Sequence, residues 1–195
     1  MLSVAQARMS ANSVPARRWG IWWFLASEIV TFGGLIVSYV LFRMRHPEWG
    51  LEAAHTLSTV GAINTVLLLT SSLTMILAHH EVEHKNYSAA AKYLLWTTVL
   101  GFCFIGFKIF EYSHEVSHGF LPAKSLFWSY YYLMTGLHLL HLLGGLVTNI
   151  SVSGGIKNGS HAHRIESIGL YWHFVDVVWI FLFPLLYIAS AGSGS

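Results

Sequence analysis

Charge is scarce in this sequence. Asp, Glu, Lys and Arg together make up 10% of its 195 residues, against about 25% in ordinary soluble domains. That deficit excludes a typical soluble globular fold. The net charge of +2 is too small for the basic footprint of a nucleic-acid partner, so none is expected. Cysteine is almost absent: Cys103 stands alone, which rules out an internal disulfide, and its apolar surroundings read as those of an inert core residue. No cleavable signal pattern precedes Trp19. Residues 1–18, small and polar with Arg8, Arg17 and Arg18, read as a flexible basic tail. No internal repeat of useful strength is visible.

Apolar residues are abundant, at 54% with a mean hydropathy of +0.54. A bilayer core of about 30 Å needs roughly 20 apolar residues in a helix. Five segments meet that length: Trp19 to Phe42, Leu57 to Ala78, Ala90 to Phe110, Phe127 to Ile150 and Ser167 to Ser190. The fold class expected is therefore all-α, an integral membrane bundle of five transmembrane helices over residues 19–190. The basic tail precedes it, and a short tail of residues 191–195 follows. The third span is the least apolar, with Lys92 and Lys108 inside it; Lys92 lies near its start and can snorkel to the headgroups. Trp19, Trp22, Trp23, Trp49, Trp96 and Trp128 fall near span ends, where an interfacial aromatic belt is expected. Seven basic residues (Arg8, Arg17, Arg18, Lys85, Lys92, Lys157, Arg164) lie on the side of the amino terminus, and four (Arg43, Arg45, Lys108, Lys124) on the other. This bias places the amino terminus in the cytoplasm.

Ionisable residues within spans are costly and face a partner or a cavity. Glu28 lies nine residues past Trp19, about 13 Å into its helix. It suits either a proton-handling or lipid-contacting carboxyl or a structural carboxyl bonded to a neighbouring helix. Lys108 and Glu111 are spaced i,i+3 and read as a local ion pair anchoring a helix end. His138 and His141 share that spacing, as do His173 and Asp176 on the last span. A closed hydrogen-bonded network between the two helices is the favoured reading, ahead of ligation of a metal or haem. Asn64, Thr65, Ser71, Ser72 and Thr74 add weaker polar groups along the second span.

Two patterns imitate metalloenzymes. His80-Glu81-Val82-Glu83-His84 fits the H-E-x-x-H signature of zinc proteases, which needs a helix and a third ligand; here it is placed in a polar connector at the membrane edge. Glu111-x-x-His114 and Glu115-x-x-His118 imitate the E-x-x-H of di-iron bundles, but are placed in a loop and discounted.

From about Arg18 to Ser190 the sequence resembles subunit III of the haem-copper oxidases. The stretch YWHFVDVVWIFLF from Tyr171 to Phe183 looks like the family's signature in its last helix. TGLHLLHLLGG from Thr135 is similar to its histidine motif one helix earlier. NTVLLLTSSLTMILAHH from Asn64 resembles its Asn-Thr and His-His run. FKIFE ends on Glu111, where the family has a helix-end glutamate, and LASEIVTFGG carries Glu28 at the position of its membrane carboxylate. Glu166, seven residues before His173, also matches. The family-matched buried polar set is thus Glu28, Asn64, Glu111, His138, His141, Glu166, His173 and Asp176.

The resemblance implies a subunit with no catalytic residue and no metal of its own. Haem and copper would reside in partner subunits, catalytic subunit I and subunit II, which reduce oxygen to water and pump protons. Subunit III would pack on the catalytic subunit, hold phospholipid, support proton uptake and protect the enzyme during turnover, in the bacterial cytoplasmic membrane. Longer members have seven helices; this chain matches the last five, as in the five-helix bacterial form. Cytochrome c and quinol oxidases both have such subunits, and a relative accompanies some nitric oxide reductases; Glu28 leans towards the cytochrome c type. The alternatives of another class are a membrane metalloenzyme with a histidine-bound metal and a small transporter or channel built around Glu28 and the last-span pair His173 and Asp176.

Overall fold

The computed structural model describes residues 16–156 and 158–188. The tail of residues 191–195, most of the amino-terminal tail and Lys157 lie outside the described residues, and so do the side chains of Arg17 and Arg18. Among the described residues every element of regular secondary structure is helical. Helix α1 spans Ala16–Arg45. A short α2, Trp49–Ala53, leads to α3, Ser58–Glu83. Next come α4, Tyr87–Ser117, and α5, Leu126–Ile156. A 3₁₀ turn, Ala162–Arg164, precedes α6, Ile165–Phe183, which ends in a π turn, Pro184–Ile188. Every helix but α2 is long and apolar enough to cross a membrane, as five expected spans require.

The helices outrun the expected spans because hydrocarbon thickness limits only their apolar part. With 31 residues, α4 is about 46 Å long, so its polar last turns continue past the bilayer core. This corrects two placements. His80 to Glu83 is helix, not connector, and Glu111, His114 and Glu115 lie in α4, not in a loop.

Helices α3, α4, α5 and α6 form a closed four-helix arrangement, with α3 packed most extensively on α4; α1 is appended along α6 and the edge of α5. The turn from α3 to α4 is a Schellman closure. Lys85 takes a left-handed φ of 59°, and the Asn86 N–H donates to the Glu81 carbonyl at 2.9 Å. The same closure ends α4, with Gly119 at φ 77° and the Phe120 N–H on the Glu115 carbonyl at 3.0 Å. Close approach in the bundle rests on small residues. A Cβ at Gly101 would stand 2.8 Å from Leu146 of α5 and 3.1 Å from Trp172 of α6.

Two further expectations change. Trp49 and Trp128 are core residues at 3% and 0% exposure, Trp49 tilted against Tyr39 and Trp128 stacked on Phe120 rather than set in an interfacial belt; Trp19, Trp22, Trp23 and Trp96 remain exposed. Cys103 is exposed, on a face of α4 shared with Gly106 and Phe110, because α4 presents that face outward.

Candidate functional site

The buried polar groups resolve into separate clusters at helix seams. Where α4 ends and α5 begins, Lys108, Glu111, Glu115, Tyr131 and Tyr187 are all at most 1% exposed. The Lys108 ammonium donates to Glu111 Oε2 at 2.9 Å, Tyr131 Oη at 3.0 Å and Tyr187 Oη at 2.5 Å. Tyr131 donates in turn to Glu115 Oε1 at 3.1 Å. All three donors of the ammonium are therefore engaged. Proline supplies no backbone N–H, and the chain around Pro184 widens into the π turn that carries Tyr187 into the cluster. The Lys108–Glu111 pair thus forms as its spacing indicates, but as the centre of a buried knot tying α4, α5 and the end of α6, not as a surface anchor. Glu115, Tyr131 and Tyr187 went unassigned in the sequence. The signal for Glu115 was present, since 108, 111 and 115 share one helical face, but a span ended at Phe110 hides it.

A second cluster pins α1. His141 Nε2 lies 3.0 Å from Glu28 Oε2, and His141 Nδ1 lies 2.8 Å from the Leu137 carbonyl. A carbonyl only accepts, so Nδ1 carries a proton. One further proton then sits between Nε2 and Oε2, on the imidazole or on the carboxyl. Of the two readings open for Glu28, bonding to a neighbouring helix is realised in this contact. Tyr171 Oη donates to the His141 carbonyl at 2.8 Å, and Phe32 packs edge-on to the imidazole at 5.2 Å.

A third set joins α3 to α6. Trp172 Nε1 donates to Ser71 Oγ and Trp179 Nε1 to Thr65 Oγ1, both at 3.0 Å. Ser72 Oγ pairs with His173 Nδ1 at 2.7 Å. The aromatic signature of α6 is read by the hydroxyl row of α3. Asp176, 3% exposed, has Oδ2 4.0 Å from His173 Nδ1, too far for a hydrogen bond, because Ser72 takes that nitrogen. Glu166 lines a 170 Å³ cleft with His79, Met75 and His173.

The closed network expected from His138, His141, His173 and Asp176 is not formed. His138 turns into the core between Phe104 and Trp179, with ring centroids at 5.6 and 5.1 Å, while His141 faces α1. Neither ring nitrogen of His138 has a hydrogen-bond partner among the described residues. Asn64 is fully buried on α3. Among the described residues no three His, Cys, Asp or Glu side chains converge as metal ligands do.

Fold and polar seams together define a polytopic helical membrane protein whose buried polar groups link its own helices. Comparison with known proteins narrows this class. The family model for cytochrome c oxidase subunit III matches residues 9–191. Cytochrome c oxidase subunit 3 of Thermostichus vulcanus is 33% identical over 176 residues, 88% of this chain and 86% of the relative. A protein of Staphylococcus haemolyticus named probable quinol oxidase subunit 3 is 31% identical over 180 residues, 86% of each. Heme-copper oxidase subunit I+III of Aeropyrum pernix is 31% identical over 183 residues, 88% of this chain but 22% of the relative. The chain belongs to the cytochrome c oxidase subunit III family, the third subunit of haem-copper oxidases.

Proposed function

We propose that this subunit is a non-catalytic scaffold of a terminal oxidase in the bacterial cytoplasmic membrane, oriented with its amino terminus in the cytoplasm. It packs on catalytic subunit I, beside subunit II, and those partners hold the haem and copper that reduce oxygen to water. The observation that carries this reading is the Aeropyrum pernix relative, named as subunits I and III together, of which this chain matches a 22% share. The free face of α1 supports it. Among the described residues, the backbone of α1 itself aside, nothing lies within 4 Å of a Cβ built at Gly33 or Gly34, and Val30, Val37 and Leu41 are exposed around them. Small residues of this kind let helices of separate subunits approach closely. Phospholipid covers the remaining apolar surface. The subunit supports proton uptake by, and the working life of, its partner, with Glu28 holding α1 in place and not serving as an obligatory proton carrier. Cytochrome c is the proposed electron donor; the Staphylococcus haemolyticus relative keeps quinol as the second reading.

The test is purification in mild detergent with identification of what accompanies the chain. Co-purification with a larger subunit bearing haem and copper is expected. A stable chain running alone, without haem absorbance, overturns the proposal. A cytochrome c or quinol oxidation assay on the same fraction decides the donor.

A further inference from the structure

The motif His80-Glu81-Val82-Glu83-His84 has no part in the scaffold role. α3 ends at Glu83 with His84 as its C-cap. There the Schellman closure folds the histidine back over the last turn, so that His84 Nδ1 lies 2.9 Å from the His80 carbonyl. That carbonyl also accepts the backbone N–H of His84 at 3.2 Å. Because it only accepts, Nδ1 of His84 carries the proton and Nε2 keeps its lone pair, the tautomer a metal requires. The two imidazoles stand with centroids 4.3 Å apart, and both residues are exposed. Glu81, the general base of the protease pattern, is instead tied into the turn, with Oε2 accepting from Asn86 Nδ2 at 2.7 Å. With no third ligand converging among the described residues, the hydrolytic centre is not assembled, and a two-imidazole chelate remains.

We propose that His80 and His84 bind one exchangeable divalent transition-metal ion at the end of α3, through Nε2 of His84 and a ring nitrogen of His80. Water completes the coordination. Imidazole donors select Cu²⁺, Ni²⁺ and Zn²⁺ over the hard, oxygen-seeking Mg²⁺ and Ca²⁺. The site is separate from the redox metals assigned to the partner subunits. His114 and His118 repeat the spacing at the end of α4, with centroids 4.2 Å apart, but there His114 is half-buried; the variants below separate the two pairs.

The experiment is equilibrium dialysis of the purified, detergent-solubilised complex against Zn²⁺ in excess Mg²⁺, with haem content measured to confirm assembly. The double variant His80→Gln/His84→Gln is expected to bind one equivalent fewer per complex than wild type. Each single variant is expected to weaken that equivalent by at least about tenfold, and Glu81→Gln to leave it unchanged. With Cu²⁺, the difference EPR spectrum between wild type and double variant is expected to show coupling to two nitrogens. Equal stoichiometry in wild type and double variant overturns the site. Loss of the equivalent in Glu81→Gln, or its displacement by Mg²⁺, overturns the two-imidazole assignment.

Discussion

Replacing Lys108 by Met removes the ammonium while keeping most of the side chain's length. In the native protein that ammonium holds Glu111, Tyr131 and Tyr187 at 2.5–3.0 Å, with all four residues at most 1% exposed. The substitution therefore strands the Glu111 carboxyl and leaves two phenols without their shared donor. Removing one partner of a buried ion pair costs about 3–5 kcal/mol. Replacing both partners with apolar residues of similar volume removes the charge of the pair and is close to neutral, while the nearby Glu115 keeps its hydrogen bond from Tyr131. Lys108→Met is thus expected to reduce the amount of assembled complex sharply and to lower its thermal midpoint. Lys108→Met/Glu111→Leu is expected to recover most of the loss. The assay is the yield of haem-containing complex together with its melting profile in detergent, read as an order because membrane complexes unfold irreversibly. A single variant that assembles and melts like wild type refutes the reasoning. So does a double variant no better than the single, which would mean that the cost lies in packing.

Four other outcomes follow from the seams and the charge bias. Glu28→Gln keeps a hydrogen bond to His141 and should retain oxygen consumption and proton pumping, whereas Glu28→Ala should cost about 1–3 kcal/mol and shorten working life; loss of pumping in Glu28→Gln at normal assembly would place Glu28 in a proton path. His173→Ala leaves Ser72 without its 2.7 Å partner and should lower assembly by a similar amount without moving the haem spectrum; a shifted spectrum at normal abundance would mean that the residue acts at a cofactor. Gly101→Ala forces Leu146 and Trp172 apart and should destabilise by about 1–3 kcal/mol; an unchanged melting profile would show that the seam yields. A carboxyl-terminal reporter active only in the cytoplasm should be silent, and its activity would overturn the span count or the orientation.

The number of spanning helices was legible in the sequence because the membrane imposes a length and an apolar content on each one. The i,i+3 spacing of Lys108 and Glu111 also sufficed, since the helix itself brings such neighbours together. Interhelical partners were not legible. His138 and His141 are one turn apart, yet His138 packs against Phe104 of α4 and Trp179 of α6, while His141 meets Glu28 of α1, 113 positions away. Which side chain each histidine meets depends on how α5 is rotated and on which helices flank it. That rotation follows from packing across all the seams at once, through contacts such as Gly101 against Leu146 and Trp172 and the hydroxyls of α3 against the indoles of α6. Sequence periodicity states which residues share a face; only the tertiary structure decides what that face meets, because the partner lies on another helix whose position no local pattern encodes.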